Sequence, residues 1–161
     1  MNLPMNIRLR EVEPGDLPLF FAHQQDGVAA AMAAFPSRDR AAFDAHWAKI
    51  LAEPANMVRT VVVDGEVAGN VCSFTRDGLR EVGYWIDRAF WGRGIATAAL
   101  TAYLHVERTR PLYAGVAKHN AASLRVLHKC GFIFHADDDS HVVLVLARDH
   151  GLGGEEERPV R

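Results

Sequence analysis

The chain has 161 residues, of which 49% are hydrophobic and 24% are charged, and its formal net charge is −2. This length has room for one domain with a core of its own, and the composition excludes a disordered or fibrous protein. A charge so close to zero gives no field that would attract a nucleic acid or an anionic membrane, so we expect neither as a partner.

The first third of the chain predicts one short strand and two helices. Residues 7–12 alternate imperfectly between apolar and charged side chains before a Pro-Gly break, which indicates a strand. Residues 16–25 predict a helix. Ser37 is a suitable N-cap for a second helix over residues 38–53, where aromatic side chains recur at helical spacing.

Three strands then follow as a meander. Residues 57–63 and 66–74 are rich in β-forming side chains and are joined by Asp-Gly at positions 64–65, a pair typical of a tight hairpin. A second Asp-Gly precedes another strand over residues 79–86. Hairpins require antiparallel neighbours, which disfavours an open parallel sheet that binds nucleotides.

The second half of the chain alternates helices and strands. Helices are predicted over residues 94–108 and 120–130 with a strand over 112–117 between them, and this order implies a right-handed crossover. A last hairpin joins residues 132–135 and 142–146 around an acidic turn. The elements together predict an α+β (mixed α/β) fold with a mostly antiparallel sheet of six to seven strands and about four helices.

The two ends of the chain and its two cysteines indicate the bounds of the domain and the cellular compartment of the protein. We expect one domain over residues 1–150 and a disordered tail over 151–161, where glycines, three glutamates and a proline gather. The first ten residues lack the apolar core of a signal peptide, and Cys72 and Cys130 have no disulfide or metal-knuckle spacing. We therefore expect a cytoplasmic protein that holds no metal.

The segment 91–97, WGRGIAT, lies where the strand over 79–86 leads into a helix. Its small residues would leave backbone N–H groups bare at the positive end of the helix dipole, and Arg93 would add a charge. The segment fits a pyrophosphate site, and it also fits a plain strand-to-helix turn. It is not a dinucleotide fingerprint, which would need a glycine at Thr97.

A second motif favours the pyrophosphate interpretation. Residues 120–132, NAASLRVLHKCGF, follow the glycine segment in an order and at a separation that resemble the GNAT superfamily of acetyl-CoA-dependent N-acetyltransferases. The resemblance covers residues 7–148 and is greatest to ribosomal-protein N-terminal acetyltransferases of the RimJ and RimL type. It implies the GNAT fold, acetyl-CoA as cosubstrate, no metal, and transfer of an acetyl group to an amine.

The resemblance also implies particular coenzyme contacts. The superfamily's pyrophosphate loop ends in two small residues, here Gly94 and Ala96, whereas Trp91 replaces the usual glutamine or arginine and leaves the first contact to backbone amides. The strand end over 84–86 would pair with the pantetheine arm where two strands splay. The implied coenzyme-binding residues are Tyr84, Trp85, Ile86, Trp91, Gly92, Arg93, Gly94, Ile95, Ala96, Thr97, Asn120, Ser123 and Lys129.

Some of these residues have simpler interpretations. Asn120 is also a suitable N-cap for the helix that follows it, and Lys129 also complements the C-terminal end of that helix.

The resemblance also implies a role for the backbone at the end of the strand over residues 79–86. A backbone N–H near Ile86 would polarise the acetyl carbonyl.

Two residues are candidates for proton transfer. Glu81 lies on the strand that ends at the coenzyme and is our candidate for the base; the alternative is an ion pair with Arg76 or Arg80. Many relatives use a tyrosine as the acid four places before the glycine of Gly-Phe, but this position holds Leu127. Ser123 is the nearest hydroxyl, so the acid is either Ser123 or water.

The sequence leaves the acceptor amine open. A protein N-terminus or a small-molecule amine would fit. The resemblance implies an acceptor pocket shaped by the first two helices and the last hairpin, here by Phe20, Phe21, Phe35, Trp47 and the turn around Asp138. Because Leu127 cannot donate a proton, a non-catalytic acyl-CoA sensor or interaction module is the alternative function. A homodimer is common among similar proteins.

Overall fold

The computed structural model of the chain describes residues 5–148, and the tail expected over 151–161 lies outside the described residues. The elements in chain order are β1 (Ile7–Arg10), α1 (Asp16–Gln25), α2 (Gly27–Ala33), α3 (Arg40–Ala52), β2 (Met57–Val63), β3 (Glu66–Arg76), β4 (Leu79–Ile86), a 3-10 turn (Arg88–Phe90), α4 (Ile95–Tyr103), β5 (Leu112–Ala117), α5 (Ala121–Lys129), β6 (Ile133–Asp137) and β7 (His141–Leu146).

The seven strands form one sheet in the order β1-β2-β3-β4-β5-β7-β6. Neighbouring strands are antiparallel except β4 and β5, which run parallel with α4 between them in the chain. Both predicted Asp-Gly hairpins are present, and Asp64 and Asp77 adopt positive φ values of 49° and 51°. The predicted mixed, mostly antiparallel sheet is confirmed.

Hydrophobic clusters cover both faces of the sheet. The larger cluster packs α4 and α5 on the sheet through fully buried side chains such as Tyr103 and Leu127. The smaller one includes Phe43 of α3 and packs on β2 and β3. Val71 and Cys72, which are adjacent on β3, join different clusters, as expected for side chains that point to opposite faces.

Helix α2 was not predicted from the sequence. Asp26 is its N-cap, because its Oδ1 accepts hydrogen bonds from the amides of Val28 at 2.9 Å and Ala29 at 3.4 Å. The helix ends at Ala33, and the next residue, Ala34, caps it with a left-handed φ of 51°. Residues 5–148 thus contain five α-helices where about four were expected.

Two predicted helices have different ends in the structure. Ser37 as an N-cap was wrong: its hydroxyl donates to a carbonyl of α1, and Asp39 instead caps α3 by accepting from an amide of the first turn at 2.8 Å. Helix α4 ends at Tyr103 and not at residue 108. Beyond that point Glu107 is buried, and its carboxylate accepts hydrogen bonds from Arg80 at 3.0 and 3.1 Å.

Candidate active site

Strands β4 and β5 separate where the sequence predicted a splay. Within residues 5–148 their ladder contains a single pair, Glu81 with Tyr113. The amide of Asp87 donates to the Ala68 carbonyl of β3 at 2.8 Å. In an antiparallel pair the residues of one strand point their amides alternately towards and away from the partner strand, so the amides of Ile86 and Tyr84 point away from β3. These backbone groups therefore face the gap between β4 and β5.

A cleft of about 510 Å³ opens at this gap. It is bounded by α2, the end of β4, the 91–97 segment with α4, and α5. The residues lining it are Ala29, Met32, Ala33, Tyr84, Trp85, Ile86, Phe90, Trp91, Gly92, Gly94, Ile95, Ala96, Thr97, Asn120, Ala122, Ser123, Arg125, Val126 and Lys129. Twelve of the thirteen coenzyme-binding residues expected from the sequence thus lie around one cleft.

The first turn of α4 presents bare backbone amides to this cleft. Gly92 and Gly94 adopt φ values of 75° and 76°, which reverse the chain into the helix. The first backbone amide that forms a helical hydrogen bond in α4 is that of Ala98, which donates to the Gly94 carbonyl at 3.1 Å. No hydrogen bond joins the amides of residues 92–97 to any other described part of the protein. This turn is therefore open to an anion.

Trp91 and Arg93 have structural contacts of their own. The Trp91 indole Nε1 donates to the Ile86 carbonyl at 2.9 Å and ties the loop to the end of β4. The Arg93 guanidinium lies 5.4 Å from the centre of the Phe90 ring and contacts the Met5 sulfur at 3.4 Å. Arg93 is the one expected coenzyme residue that does not line the cleft.

Helix α5 forms the opposite wall and supplies positive charge. The Asn120 side chain accepts from the Ser123 amide at 3.1 Å, so the capping role is present, and Asn120 also lines the cleft. The charged side chains of the described cleft are those of Arg125 and Lys129. Arg125 was not predicted, although it lies one helical turn before Lys129 and therefore on the same face.

A hydroxyl pair crosses the cleft between β4 and α5. The Tyr84 hydroxyl lies 2.6 Å from the Ser123 hydroxyl, and burial raises the pKa of Tyr84 to about 12 against the opposing effect of that hydrogen bond. Leu127, at the position where many relatives have a tyrosine, is 1% exposed and packs in the core.

The comparison with known families decides the class of protein. A family profile described as an acetyltransferase (GNAT) domain matches residues 6–133. The chain belongs to the GNAT acetyltransferase family. This membership confirms the expected fold and the expected enzyme class, an acetyl-CoA-dependent N-acetyltransferase. Curated protein sequences gave no match.

Solved structures share the fold of this acetyltransferase at low sequence identity. RimL, a ribosomal L7/L12 alpha-N-protein acetyltransferase in complex with coenzyme A, has a TM-score of 0.75 at 17% identity over 89% of this chain and 94% of its own. Mycobacterium smegmatis RimJ has a TM-score of 0.70 at 21% identity over 87% and 81%. Vibrio cholerae spermidine N-acetyltransferase, in complex with CoA and spermine, has a TM-score of 0.72 at 18% identity over 86% and 92%. The expected similarity to RimJ and RimL is thus present.

Glu81 of this acetyltransferase has an ion-pair partner. Its two carboxylate oxygens accept hydrogen bonds from the Arg76 guanidinium at 2.8 and 2.9 Å, which is the alternative considered from the sequence. Glu81 is 19% exposed and lies five residues before the end of β4, outside the cleft lining. Its role as a base stays a prediction.

The aromatic residues expected around the acceptor have different environments. Phe20 and Trp47 are 3% and 7% exposed and belong to the core between α1, α3 and the sheet, so placing them in an acceptor pocket was wrong. Phe21 packs edge-on against Phe43. Phe35 makes an edge contact with Trp85 of the cleft lining, with the ring centres 6.0 Å apart.

The described residues were compared with the requirements of a metal-binding cluster and of a membrane-spanning helix. In residues 5–148, no three histidine, cysteine, aspartate or glutamate side chains come together at metal-binding distance. Asp138 instead closes its own hairpin, where it accepts hydrogen bonds from the amides of Ser140 and His141 at 2.8 and 2.7 Å. None of the helices in this part of the chain combines the length and hydropathy that crossing a bilayer requires.

Proposed function

We propose that this protein binds acetyl-CoA in the cleft between β4, α4 and α5 and transfers the acetyl group to a primary amine of a small molecule or a protein N-terminus. The bare amides of residues 92–97 are the observation that supports this most strongly. A helix start without protein partners binds phosphate oxygens, and here it opens into the same cleft as two cationic side chains.

The cleft fits both parts of the coenzyme. The amides of residues 92–97, with Lys129 and Arg125, would hold the phosphates. The Tyr84 and Ile86 backbone groups that face the gap would pair with the amide-bearing pantetheine arm. The coenzyme would supply an activated thioester, and the protein would position it and exclude water.

The proposal names the chemical class of the acceptor, a primary amine, and not a particular compound. The solved structures of this fold include enzymes named for a ribosomal protein, for spermidine and for aminoglycosides. The sequence does not choose between a protein N-terminus and a small-molecule amine. Cytoplasmic location and a homodimer stay predictions.

Ligand binding and thiol release test the function. At a hundred times its dissociation constant, acetyl-CoA should stabilise the protein by about 2.7 kcal/mol, whereas NAD and ATP should not. Release of free thiol from acetyl-CoA should then depend on one class in a panel of peptides, polyamines, aminoglycosides and amino acids. Stabilisation without turnover across the panel would favour the sensor function, and no stabilisation by acetyl-CoA would contradict the proposal.

The base is tested by Glu81→Gln. If Glu81 removes the ammonium proton, this change should lower turnover at neutral pH by about a hundredfold and leave coenzyme affinity intact. Arg76→Gln is the matched control, because it breaks the same ion pair but keeps the carboxylate. Equal losses in both variants would show that only the ion pair matters, and unchanged rates in Glu81→Gln across the pH range would remove Glu81 from the mechanism.

A further inference from the structure

Two glycines lie side by side on the sheet where β4 and β5 begin to separate. Glu81 and Tyr113 pair across these parallel strands, and Gly83 and Gly115 each follow two residues later. Residues two apart on a strand share a face, so both glycines lie on the face of Glu81 and Tyr113. Val82 points into the larger core cluster, so the face with the glycines is the one away from α4 and α5.

The space above both glycines is open. Among the residues that the structure describes, a Cβ added at Gly83 or Gly115 would meet no atom within 4 Å outside its chain neighbours. Neither residue has a positive φ, so the backbone does not require glycine at either position. A glycine inside a strand often marks a place where a ligand approaches the backbone closely. The two glycines together form an open floor at the entrance to the gap.

Aromatic rings border this floor on two sides. Trp85 lies two residues beyond Gly83 on the same face, and it also lines the coenzyme cleft. Tyr113 lies two residues before Gly115, and its ring packs edge-on against His135 with the ring centres 5.1 Å apart. The rows of Trp85 and Tyr113 are four strand residues, or about 13 Å, apart. We name the glycine floor and these two bordering rings the glycine trough.

The carboxylate beside the glycine trough is already neutralised. Glu81, next to Tyr113, accepts hydrogen bonds from the Arg76 guanidinium at 2.8 and 2.9 Å. A polyamine or an aminoglycoside carries several positive charges, each of which needs an opposite charge when it leaves water. An acceptor with a single amine and an apolar ring has no such requirement, and its ring can pack against the aromatic borders.

We propose that Gly83 and Gly115 select an aromatic monoamine as the acceptor. Its ring lies flat on the two glycines between Trp85 and Tyr113, and its chain carries the amine into the gap between β4 and β5. The inference rests on the proposed function, which puts the thioester at this gap. Gly83 is three residues, about 10 Å, from Ile86 at the gap, a span that a ring with a short alkylamine chain covers.

Transfer to this acceptor needs no further reactant. The amine nitrogen bonds to the carbonyl carbon, the carbon–sulfur bond breaks, and its electron pair goes to sulfur. The amine loses one proton and the thiolate takes one up through solvent, so the products are the N-acetylated amine and coenzyme A.

A panel of amines tests the class of acceptor. With saturating acetyl-CoA, the kcat/KM of the wild type for 2-phenylethylamine should exceed that for ethylamine by about tenfold or more, because the ring is buried in the glycine trough. It should also exceed that for spermidine, for kanamycin and for a peptide that begins with alanine. A higher kcat/KM for any of these four amines would overturn the inference.

Graded substitutions at Gly115 test the glycine floor itself. Gly115→Ala and Gly115→Val fill open space on a strand, so both variants should fold. They should lower kcat/KM for 2-phenylethylamine progressively, by about tenfold or more for valine, and affect ethylamine much less. The KM for acetyl-CoA should not change. Gly15→Ala is the control, because it also fills open space but lies outside the glycine trough. Equal kcat/KM for 2-phenylethylamine in Gly115→Val and the wild type would overturn the inference.

Failure of this inference and failure of the proposed function give different results. If the wild type acetylates spermidine and not 2-phenylethylamine, the proposed function stands and the inference fails. If it acetylates no amine, the proposed function fails, and nuclear magnetic resonance still tests the glycine trough. The amides of Gly83 and Gly115 should shift when 2-phenylethylamine is added to protein saturated with coenzyme A. Unchanged amides would overturn the inference whatever the activity.

Discussion

Asp16 shows how one buried carboxylate fixes the start of the fold. It is 3% exposed and accepts two hydrogen bonds from Arg10, one from the Glu13 amide and one from the Thr60 hydroxyl, at 2.7 to 2.9 Å. Burial alone would raise the pKa of Asp16, but these donors outweigh it and lower the pKa to about 2. The ionised carboxylate thereby connects β1, α1 and β2.

We expect Asp16→Asn to lower the free energy of unfolding at pH 7 by about 2 kcal/mol or more, because the ionised form is stabilised in the folded state. A lowered pKa means that this contribution is present above the ordinary pKa of 3.8 and is lost as the pH falls towards 2. Urea unfolding should therefore show a smaller loss of stability between pH 4 and pH 2 in Asp16→Asn than in the wild type.

Asp44→Asn is the control for this change. Asp44 is 53% exposed and pairs with Arg40 on the surface of α3, so its replacement should cost less than about 1 kcal/mol. Similar losses for both variants would contradict the role given to burial at Asp16.

The first turn of α4 is the element on which coenzyme binding depends. We expect Gly94→Ala to weaken coenzyme A binding and to lower stability by about 1 kcal/mol, because Gly94 adopts a φ of 76° that alanine disfavours. Space is not the cause, since a Cβ at Gly94 would meet no atom within 4 Å. Calorimetric titration and urea unfolding measure the two effects.

Gly15→Ala is the matched control for Gly94→Ala. A Cβ at Gly15 would also meet nothing within 4 Å, but Gly15 has a φ of −67°, which alanine adopts readily. This variant should keep its coenzyme affinity and be as stable as the wild type or slightly more stable. Equal coenzyme affinity in Gly94→Ala and the wild type would mean that the turn does not hold the phosphates.

Elements with strong local signals could be predicted from the sequence. The Asp-Gly pairs fixed both early hairpins, and β3 extends only two residues beyond its predicted end at residue 74. Helix α2 could not be predicted from a pattern, because its alanines give no amphipathic periodicity and Asp26, its N-cap, is the one local signal at its start. Asp39 and not Ser37 is the N-cap of α3, because the Ser37 hydroxyl donates a hydrogen bond to the Gln24 carbonyl of α1. Such a contact between distant residues leaves no local signal in the sequence.

At the scale of the whole molecule, the sequence predicted one end of the site better than the other. The glycine segment and α5 carry local motifs, so the coenzyme end of the cleft could be anticipated. The contribution of α2 and the contact between Tyr84 and Ser123 could not, because they depend on how distant elements pack. The acceptor side lacks a motif of its own, and two aromatic residues expected there, Phe20 and Trp47, are core residues.

The most direct test of the account follows the backbone amides of residues 92–97 by nuclear magnetic resonance during titration with coenzyme A. These amides should shift more than those elsewhere in α4, because they would bind the phosphates. Pantetheine, which lacks the pyrophosphate, should shift the amides of Tyr84 and Ile86 at the gap and leave residues 92–97 unchanged. Saturation with coenzyme A without a change at residues 92–97 would contradict the account.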